Sequence, residues 1–172
     1  MQKVLLIIAH SGFKLVEYMT SKKILIDAGI KVVTASNLLG TAISSITDDE
    51  AKVDLVLDDV NVADYDGIFF IGGPGALENL NNEKSYRIIR EVASSGKVWG
   101  AICISPRILA AAGVLKNKKV TGWDRDNELA GILSAARAEY VREAMVVDGN
   151  LITGNGPEAA AEWGTAIARA LS

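Results

Sequence analysis

The sequence has only one cysteine and one histidine, which excludes the sites that clusters of these residues build. A single cysteine cannot form an intrachain disulfide or a zinc site of several cysteines. With one histidine in addition, a transition-metal site would depend mostly on carboxylates, without the imidazole and thiolate ligands that zinc and copper favour. We expect neither a metal nor another cofactor.

Long apolar runs and an excess of basic residues are also missing. No apolar stretch approaches the roughly 20 residues that cross a bilayer, and the first one, KVLLIIA, ends at His10 without a signal-peptide cleavage pattern. The formal net charge is -3 and the basic residues are scattered, which gives no electrostatic case for nucleic acid. We expect a cytoplasmic protein with no membrane or nucleic-acid partner, in which a lone thiol stays reduced.

Apolar stretches of strand length alternate with helical patterns along the chain. The 172 residues are 49% hydrophobic and 23% charged, which is typical of one soluble globular domain spanning 1–172. Residues 3–8, 65–73 and 97–103 are predicted strands, each apolar enough to be buried on both faces. Such strands are typical of a parallel sheet covered by helices on both sides. We predict an α/β fold, a three-layer sandwich with a mainly parallel central sheet.

Helical spacing and turn residues predict the remaining elements. The first helix would begin near Leu15, place Met19 and Leu25 on its apolar face, and end at Gly29. Further helices are predicted over 83–95, 106–113 and 157–171. Two hairpins complete the pattern, one a small excursion at the sheet edge formed by 41–46 and 52–60, the other over 146–153 with an Asp-Gly turn.

Three conspicuous segments follow predicted strands, at the sheet edge where α/β proteins bind ligands. They are residues 9–17 (AHSGFKLVE), 71–76 (IGGPGA) and 101–106 (AICISP). Because the carboxyl ends of parallel strands meet at one edge, we expect these segments to form a single site.

Cys103 lies where a predicted strand turns into the helix that begins at Pro106. Such an elbow presents its side chain at the sheet edge, and the N–H groups and dipole of the following helix favour a thiolate. Free cysteine is also among the most buried residue types, however. Its position alone leaves two interpretations, a reactive thiol and a small structural residue.

Gly72 and Gly73 form a glycine turn after a predicted strand. Neither a P-loop nor a complete GxGxxG pattern is present, so phosphate binding has weak support. The turn is either a tight entry into a helix or a place where backbone N–H groups approach the thiol as an oxyanion hole.

Four other residues are candidates for the same site. Glu17, in the first helix, is either a solvated surface residue or a partner of Cys103, in which case the two groups would share one proton as carboxylic acid and thiolate. His10 is the only side chain whose ordinary pKa suits a base at neutral pH, and it closes the first strand. Trp123 and Asp124 follow another predicted strand and are expected to line the pocket, although packing would also explain the tryptophan.

Taken together, these segments resemble the ThiJ/PfpI family over nearly the whole chain. The strongest likeness is residues 97–121, which resemble the family's nucleophile segment, AIC-x-GP followed by LL, AG and VT. Residues 69–80 resemble its glycine turn, and 12–17 place a glutamate in the first helix as the family does. Residues 146–171 are similar to its final hairpin and helix.

The resemblance implies a flavodoxin-like fold and an oligomer, of which we expect a homodimer. It implies that Cys103 is the elbow nucleophile, that Glu17 is its hydrogen-bonding acid, and that the N–H groups of Gly73 and Ile104 form the oxyanion site. Its implied substrates are small aldehydes or proteins modified by them.

The sequence departs from the family pattern at three positions. Ile104 stands where protease-like members carry histidine, and Ser105 stands where a glycine is usual. Trp123 occupies the place at which deglycase-like members supply another histidine. Glyoxalase or deglycase chemistry at Cys103 is therefore the first hypothesis, a non-catalytic redox sensor or chaperone the second, and an amidase or protease the last.

Overall fold

A seven-stranded sheet forms the centre of the computed structural model, which describes all residues from 1 to 172. In chain order the strands are β1 (Lys3–Ile7), β2 (Ser11–Phe13), β3 (Lys31–Ser36), β4 (Gly40–Ser44), β5 (Glu50–Val53), β6 (Leu55–Val56), β7 (Gly67–Phe70), β8 (Val98–Ile102), β9 (Lys119–Val120), β10 (Glu139–Tyr140), β11 (Met145–Asp148) and β12 (Leu151–Gly154). The α-helices are α1 (Leu15–Asp27), α2 (Ala76–Leu80), α3 (Glu83–Ser94), α4 (Pro106–Ala111), α5 (Leu129–Ala135) and α6 (Ala160–Ala170).

The main sheet has the order β11-β12-β8-β7-β1-β3-β6. Every neighbouring pair is parallel except β11 with β12, so the sheet is mainly parallel as the sequence predicts. None of the helices combines the length and apolar character of a membrane span.

Two hydrophobic cores lie on opposite faces of this sheet. In β1, Val4 and Leu6 belong to the core beneath α1 and α6, whereas Leu5 and Ile7 belong to the core beneath α3, α4 and α5. Successive residues of a strand point to opposite faces, so a strand between two helical layers must be apolar throughout. This arrangement confirms the three-layer, flavodoxin-like α/β fold.

The predicted excursion is a hairpin, but it does not extend the edge of the main sheet. β4 and β5 pair antiparallel and join β2 in a separate three-stranded sheet. Only the short β6 reaches the main sheet, next to β3, and a 3-10 turn over Leu57–Asp59 follows it at once. The second half of the predicted strand 52–60 is therefore not a strand, because Leu57 turns into the core instead.

Two local predictions also need correction. The hairpin β11–β12 pairs Asp148 with Leu151, so its two-residue loop is Gly149-Asn150 and not Asp-Gly, with the positive φ at Gly149. In α1, Met19 is half exposed, and the buried face contains Glu17 and Tyr18 instead. The apolar spacing of the sequence therefore placed Leu25 correctly, since it is fully buried, and was wrong for Met19.

The site lies next to two neighbouring strands, β1 and β7, whose following helices pack on opposite faces of the sheet. β1 and β7 are adjacent, yet α1 packs in one core and α3 in the other. A crevice opens between the loops at such a switch point, beyond the carboxyl ends of the strands. β8 lies on the other side of β7, so the loop after β8, with Cys103, reaches the same crevice.

The close approach of β8 to β12 generates the first prediction. A Cβ on Gly100 would stand 1.8 Å from the carbonyl oxygen of Ile152, so we expect Gly100→Ala to lower the free energy of unfolding by about 3 kcal/mol. Gly131 is the control, because it lies exposed in α5 with no atom within 4 Å of an added Cβ; Gly131→Ala should raise stability by roughly 0.5–1 kcal/mol. Urea unfolding measures both, and an unchanged midpoint for Gly100→Ala would contradict this account.

Candidate active site

The backbone of Cys103 has a conformation that L-residues rarely adopt, with φ at 62°. The N–H of Cys103 donates to the carbonyl of Gly154 at 2.9 Å, and its own carbonyl accepts from the N–H of Trp123 at 2.8 Å. Neighbouring segments therefore hold both backbone groups, which keeps the elbow in this strained conformation.

Ser105, which stands where the family resemblance predicts glycine, connects the elbow to the next strand. Its hydroxyl is buried and donates to the carbonyl of Ile71 at 2.8 Å. Ile71 directly follows β7, and its N–H donates to Ile7 of β1. The departure therefore adds a hydrogen bond that ties the cysteine loop to the glycine turn.

Gly72 makes room for the contact between Glu17 and Cys103. A Cβ at Gly72 would lie 2.5 Å from the Cβ of Cys103 and 2.9 Å from Oε2 of Glu17. With no side chain there, the N–H of Gly72 donates to that Oε2 atom at 2.9 Å. Any other residue would separate the carboxyl group from the thiol.

Gly73 has a different steric reason to be glycine. Its φ is 122°, and a Cβ would lie 2.4 Å from the carbonyl oxygen of Gly12. The N–H groups of Gly73 and Ile104 lie close enough to the thiol to lower the pKa of Cys103. Backbone donors on both sides of the elbow thus favour a thiolate, and they lie beside the position where the oxygen of an attacked carbonyl would stand.

The carboxyl group of Glu17 is fully buried beside the thiol. Oε2 accepts from the N–H of Gly72, while the buried Oε1 has no hydrogen-bond partner. Burial raises the pKa of Glu17 to about 7, although the contact with Cys103, the N–H of Gly72 and the charge of Lys14 act in the opposite direction.

The pKa of the thiol rises as well. Burial, the charge of Glu17 and the contact between the two side chains raise the pKa of Cys103 to about 12, against the N–H groups of Ile104 and Gly73. Since either anion opposes ionisation of the other group, the pair loses one proton near neutrality and the second only far above it. Because the carboxyl group has the lower pKa, the singly protonated pair is mainly thiol with carboxylate, and the nucleophile is its minor tautomer, thiolate with carboxylic acid.

The thiol opens into a cavity of about 690 Å³. Gly73, Ile104, Trp123 and Asp124 line it together with Cys103, as the sequence predicts, whereas Glu17 and Gly72 lie behind the thiol. The expectation that Gly72 and His10 belong to the pocket is not met: neither residue lines the cavity, and the ring Nε2 of His10 lies 3.2 Å from the carbonyl oxygen of Leu39.

Trp123 and Asp124 are held in the cavity wall by two arginines. The guanidinium of Arg107, which is 8% exposed, stacks over the Trp123 ring at 5.5 Å and pairs with Asp126 at 2.7 Å. The carboxylate of Asp124 accepts from the N–H of Leu129 at 2.9 Å and lies 3.4 Å from Arg142. Trp123, which occupies the place of the histidine in deglycase-like members, therefore forms a rigid part of the cavity wall.

Other polar lining residues were missed by the sequence interpretation. They are Lys14, Arg125, Tyr140, Asn155 and Glu158. Lys14 lies in the segment GFKLVE, which the sequence interpretation considered only for Glu17. Its place in this segment could have indicated that the lysine is close to the site. The others come from loops whose approach to the site no local pattern indicates.

A model of the DJ-1/PfpI family matches residues 2–170 of the sequence. The chain belongs to the DJ-1/PfpI family. It is 34% identical to the deglycase PH1704 of Pyrococcus horikoshii, covering 94% of each chain. The fold superposes on a ThiJ/PfpI domain protein from Brachyspira murdochii with a TM-score of 0.91 at 26% identity, covering 98% of this chain and 95% of that one. Drosophila melanogaster DJ-1beta superposes with a TM-score of 0.87 at 30% identity, over 98% and 89%.

Family membership explains why the segments that resemble the family occur in the same order along the chain. The structure shows how these segments come together in this protein. Cys103, Glu17 and the glycine turn come together at one point, and Ile104 contributes its N–H although its side chain is apolar. The chemical role of each residue stays a prediction that experiments on this chain must test.

The buried carboxyl group generates a prediction about stability and pH. With the pKa of Glu17 raised from 4.5 to about 7, the folded protein keeps a proton between these values that the unfolded chain has lost. The free energy of unfolding should therefore fall as pH rises through this window, by roughly 3 kcal/mol at about 1.4 kcal/mol per pH unit. Glu17→Gln, which cannot ionise, should remove this slope.

Urea unfolding at several pH values from about 4.5 to about 7.5 measures the effect. Glu162→Gln is the matched control, because Glu162 is an exposed carboxylate on α6. Parallel curves for the wild type and Glu17→Gln would contradict the raised pKa.

Proposed function

We propose that this DJ-1/PfpI protein converts small reactive aldehydes, or releases their adducts from proteins, by cofactor-independent chemistry at Cys103. The observation that carries the proposal is the pairing of an elbow thiol with a buried carboxyl group that exchanges its proton near pH 7, under two backbone N–H donors. A general acid or base works best when its pKa lies near the working pH.

The first step is addition of the thiolate to the aldehyde. The sulfur of Cys103 bonds the carbonyl carbon, and the π electrons of the carbonyl move to its oxygen. The N–H groups of Gly73 and Ile104, which lie beside the sulfur, are adjacent to this new alkoxide and stabilise it. The carboxylic acid of Glu17 then protonates the alkoxide, which gives a neutral hemithioacetal and a carboxylate.

The second step moves a proton from carbon to carbon. For methylglyoxal, the carboxylate of Glu17 removes the hydrogen of the carbon bonded to sulfur and the proton returns to the neighbouring carbon through an enediol. The product is a thioester of lactate. Water hydrolyses it to thiolate and lactate with loss of two protons, of which one returns to Glu17 and the other is released, so the net reaction is methylglyoxal plus water to lactate and a proton.

The comparisons and the missing histidines support the same choice. The Pyrococcus relative carries the name deglycase. No histidine lines the cavity, and the single His10 contacts Leu39 instead. A peptidase would need a base for its nucleophile and an acid for its leaving amine, whereas one carboxyl group suffices for the proton shift in an aldehyde.

Loss of the thiol provides the direct test. Cys103→Ala should abolish lactate formation from methylglyoxal in the absence of any cofactor, because the covalent step is lost, while the thermal unfolding midpoint shows that the variant is folded. Asn150→Ser, in the loop between β11 and β12 and outside the cavity, serves as the control and should retain the rate. Equal rates in wild type and Cys103→Ala would eliminate the proposal.

A second candidate function uses the same pair as a redox sensor. The two N–H groups and the protonated form of Glu17 are donors that suit the oxygens of a cysteine sulfinate. Mild peroxide should then add two oxygen atoms to Cys103, as measured by mass spectrometry, and Glu17→Gln should slow the addition severalfold. If Cys103 is not oxidised in preference to the three methionines, the sensor hypothesis is wrong.

A further inference from the structure

We infer that the cavity selects carbonyl substrates that carry a carboxylate, and that Lys14 is the residue that binds this group. The inference rests on the proposed function, since it names the substrate class for the same cysteine. None of the chemical steps above uses Lys14.

Lys14 is anchored next to the N–H donors. It is the last residue before α1, and its N–H donates to the carbonyl of Gly72 at 2.9 Å. A Cβ on Gly73 would stand only 2.6 Å from this same backbone nitrogen. The lysine backbone therefore contacts the glycine turn, and Lys14 is one of the residues that line the cavity together with Cys103.

The charge of Lys14 acts on the reactive pair but has no ionic partner. Lys14 and Glu17 are three residues apart at the start of a helix, so they lie on one side of the first turn, and the lysine charge lowers the pKa of Glu17. No carboxylate lies within 4 Å of its ammonium group, although seven such ion pairs form elsewhere in the protein. A half-buried cation that faces a cavity without a counter-ion attracts an anionic ligand.

The other charged lining residues do not compete for this role. The carboxylate of Asp124 already accepts from Leu129 and lies beside Arg142. Arg125 and Glu158 are both exposed and have opposite charges. Of the two cationic residues that line the cavity, Arg125 is exposed to solvent and only Lys14 is partly shielded from it.

Cavity size agrees with a substrate larger than a three-carbon aldehyde. At about 690 Å³ the cavity falls within the range of sites for whole small-molecule ligands. A carboxylate on Lys14 would orient the substrate so that its carbonyl group meets the donors of Gly73 and Ile104. A neutral substrate of the same shape would lack this orientation.

Two alkylating reagents of equal shape test the inference. Iodoacetate and iodoacetamide both react with thiolates and differ mainly in charge, so the ratio of their rate constants at Cys103 reports the local preference for an anion. Lys14→Gln should lower the iodoacetate-to-iodoacetamide ratio about fivefold, the factor that a unit charge about 4 Å away produces in a water-like medium. Any effect of the substitution on thiol ionisation changes both rates equally and cancels in the ratio.

Matched variants separate the site from net charge. Lys116→Gln removes the same charge at an exposed position outside the cavity and should leave the ratio unchanged, whereas Lys14→Arg should retain most of it. An equal ratio in wild type and Lys14→Gln would overturn the inference. A selective ratio in a protein that makes no lactate from methylglyoxal would overturn the proposed function alone.

A binding measurement removes the dependence on thiol reactivity. In Cys103→Ala protein, lactate should shift the amide resonances of Gly73 and Ile104, and lactamide, its neutral analogue, should shift them much less. The added Lys14→Gln change should abolish the difference. Equal shifts for lactate and lactamide, or no shift for either, would also overturn the inference.

Discussion

One shared proton between Glu17 and Cys103 is the constraint on which the rest of the site depends. Glu17 is fully buried and Cys103 is partly buried, and an anion on either opposes ionisation of the other, so the pair goes from two protons to one near pH 7 and keeps the last proton far above it. A solvated glutamate and a solvated thiol would ionise independently. Reactivity in this protein is therefore a property of the contact between two side chains from different elements, the first helix and the loop after β8.

Several features of the fold exist only because that contact requires space and fixed geometry. Gly72 leaves the gap in which the carboxyl group meets the thiol, and Gly73 places its N–H beside the sulfur. The elbow holds Cys103 at a positive φ, and Ser105 ties that loop to the end of β7. Each of these residues carries a steric or hydrogen-bonding cost that a surface loop would avoid, which is typical of functional sites.

The departures from the family pattern change which groups surround the thiol. Ile104 keeps the backbone N–H without a side-chain base, while Trp123 stands in the place of a titratable ring as a rigid wall held by Arg107. No histidine lines the cavity, whose charged residues are Lys14, Asp124, Arg125 and Glu158. In the proposed mechanism, proton transfer therefore falls to Glu17 alone.

The sequence by itself determined the fold class and the centre of the site. Strands with an unbroken apolar run, such as Val4–Ile7 of β1, must be buried on both faces, and the glycine turn and the cysteine elbow follow such strands, so one edge had to hold both. Local patterns failed where a contact is made between distant segments: the burial of Glu17 in place of Met19, the separation of His10 from the cavity, and the placing of β4 and β5 in a sheet of their own. Tertiary structure decided these points, because burial, pKa and the reach of Lys14 depend on atoms that are remote in sequence and near only after the chain has folded.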